Sequence, residues 1–341
     1  MSAPAPGMFS QDALALLEQL RLNKGKANLE AFAETVLSLA RENRNIVVVT
    51  SDSRGSGKLV PFASELPQQI VEVGIAEQNL VGVAAGLASA GKIPFAVSPA
   101  CFLTARSLEQ IKNDVCYSDN PVKVIGISAG VSYGALGTTH HSLHDLAVLR
   151  AINNIDVVVP ADNFESVQAI QAAAAQSRPI YVRFGKAAMY DLPRTTDDFV
   201  VGKARVIREG TDVAFIATGE TVIHALLAAE QLKSNGVSAR VVSMHSVKPL
   251  DVDVVLQSAR DCQAIVTVEE HLTAGGLGDA CASAILEAGV SVGFKQVGIP
   301  DEYTVTGSQS DIFRHYGISM EGLSHQAGNL LANRNLSMTG N

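Results

Sequence analysis

The sequence has no tryptophan, only 5% aromatic residues and no excess of positive charge. A net charge of -8 at pH 7 leaves no basic stripe to neutralise a phosphate backbone, which excludes nucleic acid as a main partner. The scarcity of aromatics also excludes a platform for stacking bases. The four cysteines, Cys101, Cys116, Cys262 and Cys281, lie far apart, with no C-x-x-C pair and no metal-ligand spacing to histidine. This pattern argues against a disulfide framework and for buried free thiols in a reducing cytoplasm. The start, Met1-Ser-Ala-Pro-Ala-Pro-Gly7, lacks the basic region and apolar core of a signal peptide. The longest apolar stretch, residues 80–97, is interrupted by Gly82, Gly86, Gly91, Lys92 and Pro94, and so reads as a buried helix, a turn and a strand rather than a membrane span. A Walker sequence is missing as well.

What is present is an alternation of apolar strands and helices. At 341 residues, with 47% apolar and 18% charged residues, the chain is long enough for two ordinary domains. Continuous Val/Ile runs predict strands at residues 46–50, 69–73, 94–97, 122–127, 156–159 and 180–184. Helix-like segments fall between them at 77–90, 103–116, 143–153 and 163–175. A polar, proline-containing stretch around Asp191–Phe199 reads as a linker, after which a second series predicts strands at 213–217, 239–243, 264–269 and 291–297. Unbroken rather than alternating strands indicate parallel sheets covered on both faces. The expected fold is therefore α/β, with two doubly wound domains of mainly parallel sheet: an N-terminal arm at 1–24, a first domain at 25–190, a linker at 191–204 and a second domain at 205–341.

Ligands of such sheets bind beyond the carboxyl ends of the strands, and several polar clusters fall there. Ser51–Gly57 follows the first strand and Glu77 the second. Glu77 opens a Gly/Ala-rich helix that is almost wholly apolar, so it is expected to be poorly hydrated and suited to holding or passing a proton. The competing reading is a helix-terminal charge stabilised by the dipole. Three of the eight histidines crowd into His140–His144. Histidines suit proton transfer and recognition of hydroxyl or phosphate groups, although Ser142 and Asp145 are also spaced as a helix cap. No partnered spacing for a metal accompanies them. Arg183 ends an apolar strand in Tyr181-Val-Arg-Phe-Gly-Lys186, where it can fork onto a phosphate or serve a structural ion pair. Gly275-Gly-Leu-Gly278 lacks the register of a nucleotide loop and reads as a helix start.

Taken together, Val73-Gly-Ile-Ala-Glu-Gln-Asn79, Lys92-Ile-Pro-Phe-Ala96, Phe102 with Arg106 and Glu109-Gln-Ile111, Gly137-Thr-Thr-His140, Val158-Val-Pro-Ala-Asp162, Tyr181-Val-Arg-Phe-Gly185, Val268-Glu-Glu-His271 and Gly275-Gly-Leu-Gly278 resemble the C-terminal half of transketolase. The resemblance spans nearly the whole chain from about residue 25. It implies a pyrimidine-binding domain followed by a transketolase C-terminal domain, with thiamine diphosphate as cofactor. By resemblance, Glu77 hydrogen-bonds the aminopyrimidine and favours the imino tautomer that deprotonates the thiazolium carbon. Phe102 packs on the pyrimidine, and Asp52 and Arg106 lie near the cofactor. His140 contacts a substrate oxygen, and Ser56 and Arg183 bind the substrate phosphate. Ser128 stands where some members place a further phosphate-contacting histidine. Pro99 replaces a second aromatic, and Leu136 stands where an aspartate commonly recognises a substrate hydroxyl. The cofactor chemistry is thus expected to be kept and sugar recognition to be altered.

The family binds Mg²⁺ and the diphosphate through a Gly-Asp-Gly…Asn motif in a separate N-terminal domain, and this sequence contains no Gly-Asp-Gly. The chain therefore resembles the B subunit of a split transketolase. That implies an A subunit carrying the metal site, an A2B2 assembly and no metal ligands here. The expected activity is transfer of a two-carbon ketol unit from a ketose phosphate, or an analogue, to an aldose. The rivals are the β subunit of a 2-oxoacid dehydrogenase or related thiamine enzyme, and a non-catalytic scaffold.

Overall fold

The computed structural model of the chain describes residues 7–194, 196 and 198–339, with side chains to residue 333. The first six residues of the arm and positions 195 and 197 of the linker lie outside the described residues. The strands are β1 (Lys24–Ala27), β2 (Ile46–Thr50), β3 (Ile70–Glu72), β4 (Ile93–Pro99), β5 (Lys123–Ile127), β6 (Asp156–Val158), β7 (Ile180–Arg183) and β8 (Ala188–Tyr190). They continue with β9 (Arg205–Arg208), β10 (Val213–Ala217), β11 (Ala239–Ser243), β12 (Ser246–Lys248), β13 (Ala264–Leu272) and β14 (Gly293–Ile299).

Among the described residues the first large sheet has the order β12-β6-β7-β5-β4-β2-β3, parallel except for β12. The second has the order β14-β13-β10-β11-β9, parallel except for β9. Strands β2, β5, β7, β10 and β11 are buried along their whole length, the reason they read as unbroken apolar runs. The faces of the first sheet pack into two cores, one around Phe32, Phe62, Phe95 and Phe184, the other around Leu80, Leu103, Ile111 and Tyr181.

The division between the two halves is less clean than the sequence suggests. β12 follows residue 205, yet pairs antiparallel with β6 on the edge of the first sheet. The arm is also engaged: helix Gln11–Gln19 buries Ala13 and Leu17 in the core of the second sheet, and β1 pairs with β8. Three local expectations differ. The segment expected as one helix at 103–116 is broken into Ala100–Arg106, a short helical turn and a π-helix at Ile111–Tyr117. The segment expected as a helix at 143–153 shortens to Asp145–Arg150, and Ser142 does not cap it. The Asp145 carboxylate accepts from the Leu146 N–H in that first turn at 3.0 Å, and from Arg183 and Tyr181 as well.

Candidate active site

Parallel pairing of β3, β2, β4, β5 and β7 carries the loops after these strands to one edge of the first sheet. Glu77 follows β3 as the first residue of helix Glu77–Ser89 and is only 4% exposed. The N-cap position is Ala76, which has no side chain to cap the helix. Both Glu77 oxygens accept from Arg106 Nη1, at 2.9 and 3.1 Å. The carboxylate opens onto a cleft of about 520 Å³ lined by Ile75, Ala76, Gln78, Asn79 and Arg106. It is thus shielded from water on the protein side, as the sequence suggests, but held in an ion pair.

A contiguous row of side chains leads away from it. The Arg106 guanidinium lies 4.4 Å from the centroid of half-buried Phe102, in the helix after β4. Phe102 meets the His140 ring edge-on at 5.3 Å, and His140 meets Tyr133 in the same manner at 5.5 Å. His140 Nδ1 lies 3.0 Å from the hydroxyl of Thr139. Lys186 Nζ then sits 4.7 Å from the Tyr133 centroid. The row crosses the sheet from β3 to β4, β5 and β7, skipping β2, with each member on the loop or helix after its strand.

The other residues singled out in the sequence are placed as follows. Asp52 is exposed after β2 with φ of 52°, its N–H donating to Glu72 at 2.7 Å. Ser56 lies on the same exposed loop and donates to the Ser53 carbonyl at 3.2 Å. Ser128 directly follows β5, fully buried, with φ of 53°. A non-glycine residue in this left-handed region is strained, and such strain concentrates at functional sites.

Arg183 departs from its expected role as a free phosphate fork. It is 4% exposed, donates to Asp145 at 2.9 Å and to the Glu270 carbonyl at 3.0 Å, and Asp145 also accepts from Tyr181 at 2.7 Å. Of the two readings its position allowed, this geometry is the structural ion pair. Freeing such a buried pair costs about 3–5 kcal/mol, more than one surface-accessible phosphate contact returns.

Sequence reasoning missed Tyr133 and Lys186 as members of the row, and Asp145 and Glu270 as partners of Arg183. Tyr133 lies four residues before Gly137, and Lys186 ends the segment that carries Arg183, so both sit beside residues that do stand out. Only the pairing of β5 with β7 brings them together. Gly275–Gly278 is a helix start, as expected, and its N–H groups serve an internal anion: Glu269 accepts from Leu277 at 2.7 Å and Gly278 at 2.8 Å. Burial nevertheless pushes the Glu269 carboxyl up to about 7.

Residues 24–190 match the family described as "Transketolase, pyrimidine binding domain", and residues 202–323 match "Transketolase, C-terminal domain". The chain belongs to the transketolase family. Among the transketolases it resembles, the B subunit of apulose-4-phosphate transketolase from Phocaeicola vulgatus is 48% identical over 299 residues, covering 87% of this chain and 95% of the relative. The B subunit of the enzyme of the same name from Actinobacillus succinogenes is 36% identical over 291 residues, covering 85% and 94%. A solved structure described as "Split gene transketolase, inactive beta4 tetramer" superposes with a TM-score of 0.81 at 36% identity, over 90% of this chain and 99% of that one. No helix among the described residues is long and apolar enough to cross a membrane.

The edge of the first sheet fits the aminopyrimidine end of thiamine diphosphate. It offers a water-shielded carboxylate opening on a cleft, with the Phe102 ring on the other side of the Arg106 guanidinium. Glu77 would hold the ring nitrogen, and Phe102 would cover the ring.

Proposed function

We propose that this chain is the B subunit of a split, thiamine diphosphate-dependent transketolase. It acts with an A subunit that supplies the Mg²⁺ and diphosphate ligands, in an A2B2 assembly. The observation that carries this reading is Glu77, buried at the mouth of a cleft and linked to His140 through Arg106 and Phe102. Thiamine diphosphate, when bound, supplies the electron sink for breaking the carbon–carbon bond beside a ketose carbonyl. The residues of this chain orient and move protons around that centre. Glu77 shares a proton with the aminopyrimidine, and its low exposure keeps that proton from exchanging with bulk water. Arg106 holds Glu77 in place until the pyrimidine arrives. His140 hydrogen-bonds a substrate oxygen near the reacting carbon, its ring fixed by Phe102 and Tyr133. The donor is a ketose phosphate, in line with the sugar phosphate for which the two apulose-4-phosphate relatives are named.

The test is reconstitution with the A subunit, followed by parallel assays on ketose phosphates and on 2-oxoacids. Ketol transfer to an aldose, lowered by about 10²–10⁴-fold in Glu77→Gln with an unchanged circular dichroism spectrum, is expected. Turnover of 2-oxoacids alone would assign the chain to the oxoacid dehydrogenase class. A Glu77→Gln rate near that of the unsubstituted protein would remove the catalytic role.

A further inference from the structure

His140 sits on the long loop that follows β5. The ends of that loop are held by the second half of the chain. The Val131 N–H donates to Glu270 at 2.8 Å, and the Leu143 carbonyl accepts from the Leu272 N–H at 3.2 Å. Between these ends, residues 135–140 are exposed or half-buried, and Gly137 turns the backbone at φ of 75°. His141 is the first side chain after them to be buried, at 4% exposed. Its Nε2 lies 2.9 Å from the Gly134 carbonyl, and its Nδ1 lies 2.9 Å from the hydroxyl of Thr304, on the loop after β14. The Thr304 hydroxyl also lies 3.3 Å from that of Thr138. We infer that Thr304 is a positioning residue for ketol transfer, which through His141 fixes the loop that carries His140. This role rests on the ketol-transfer reading and gives the second half of the chain a part in that same site.

The polarity of these bonds is set by their partners. The Gly134 carbonyl only accepts, so Nε2 carries the ring proton. Burial pushes the His141 pKa down, which keeps the ring neutral and leaves Nδ1 as an acceptor. Thr304 therefore donates to Nδ1, and its oxygen accepts from Thr138. One hydroxyl from the second half thereby ties both flanks of His140, Thr138 on one side and His141 on the other. Close packing does not duplicate the tie. Thr138, His141 and His144 face a cavity of about 610 Å³, which Asp301, Glu302 and Tyr303 also line. His141 is the chain neighbour of His140, so slack at Nδ1 lets the His140 ring shift against Phe102 and Tyr133. A misplacement of about 1 Å can cost about 10²-fold in rate.

The test uses the reconstituted A/B complex with Thr304→Val and Thr304→Ser. Valine keeps the shape and removes the donor, leaving a buried ring nitrogen unpaired. Thr304→Val is expected to lower kcat on the ketose donor about 10–30-fold, with KM changed less than about threefold. Thr304→Ser should restore most of the rate. In a His140→Ala background, Thr304→Val should lower kcat by less than about twofold, because the two residues act as one unit. Imidazole nitrogen NMR of the full chain reads the tie without turnover. His141 should show the Nε2–H tautomer, with its Nδ1 signal displaced by Thr304→Val and restored by Thr304→Ser. A loss of the same size with and without His140, or an Nδ1 signal that does not move, would overturn the inference. So would a Thr304→Val rate equal to that of the unsubstituted complex. Absence of ketol transfer by the unsubstituted complex would count against the functional reading instead, and the NMR spectra would still decide whether Thr304 holds His141.

Discussion

At Arg183 the guanidinium and its partner Asp145 are both out of contact with water, whereas Arg106, on Glu77, is 50% exposed. The same side chain therefore has two different energetic roles. Removing Arg183 leaves Asp145 as a buried carboxylate with only neutral donors, the Tyr181 hydroxyl and the Leu146 N–H. Arg183→Met is expected to lower the unfolding free energy by about 3–5 kcal/mol. Arg183→Lys should recover little, since an ammonium cannot serve Asp145 and the Glu270 carbonyl with the geometry of a planar fork. Urea denaturation of the isolated chain measures both. Arg106→Ala should change stability by less than about 1 kcal/mol, because an exposed partner is screened by solvent; a change as large as that of Arg183→Met would mean that the Glu77 pair is structural. The identities of Glu77, His140, Phe102 and Arg183 as noteworthy residues are legible in the sequence, because charge or aromatic character at the end of an apolar strand is a local signal. What each one touches is not, since Asp145 and Arg183 meet only once β5 and β7 pair and the helix Asp145–Arg150 folds over them.

Secondary elements were legible to the degree that burial made them uniform. The parallel strands are read from their apolar runs, and helices such as Asn163–Ala175 from their spacing. The short strands β1, β8, β9 and β12 were not seen: they pair antiparallel, three or four residues at a time, at sheet edges or in the two-stranded pair, so partner geometry defines them rather than composition. The π-helix at Ile111–Tyr117 has the same apolar residues an α-helix would have, and nothing local marks the extra residue per turn. The start of helix Leu277–Glu287 shows how an element depends on close approach. Gly276 has φ of -86°, which any residue adopts, so its glycine is needed for space. A methyl group there would run into the Glu269 carboxylate, which binds the N–H groups of Leu277 and Gly278. Gly276→Ala is expected to lower stability by about 1–3 kcal/mol through loss of those bonds. Thermal denaturation should show partial recovery when Glu269→Ala is added, because the two sites share one contact. Full additivity would mean that the clash is relieved elsewhere.

Across the whole molecule, the two sheets meet over ionisable groups. Glu270 of β13 accepts from the Val131 N–H and the Gln309 amide, each at 2.8 Å, and lies 3.9 Å from Arg183. Glu220, just beyond β10, packs against Gly185 and lines a cavity of about 10 Å³, together with Arg183, Thr218 and Glu270. Neither Glu220 oxygen has a hydrogen-bond partner; Gln309 faces it too but bonds only Glu270. Burial first, and then the neighbouring Glu270 charge, push the Glu220 carboxyl up to about 8, and burial pushes Glu270 up to about 7. A carboxyl whose folded pKa lies above its unfolded value binds a proton more tightly when folded. Its contribution to stability is complete below the unfolded value of about 4.5 and is lost as pH rises through the folded value. His224 and His271, buried and pushed down to about 4, act in the opposite sense: their contribution is present above about 6.5 and is lost as pH falls toward 4. Between about pH 4.5 and 6.5 the three carboxyls and the two histidines act against each other, and above pH 6.5 only the carboxyl loss remains, so the melting temperature is expected to fall most steeply between about pH 6.5 and 8 as Glu220, Glu270 and Glu269 lose their protons. Glu220→Gln keeps the shape without the charge. It should flatten the decline between about pH 4.5 and 8 and raise the melting temperature at pH 8.5 by about 2–4 °C, while leaving the behaviour below pH 4.5 unchanged. Differential scanning calorimetry across that range tests this directly. A slope between pH 6.5 and 8 identical in Glu220→Gln and the unsubstituted chain would show that Glu220 keeps its charge at the junction, with water or a cation in the cavity as its partner.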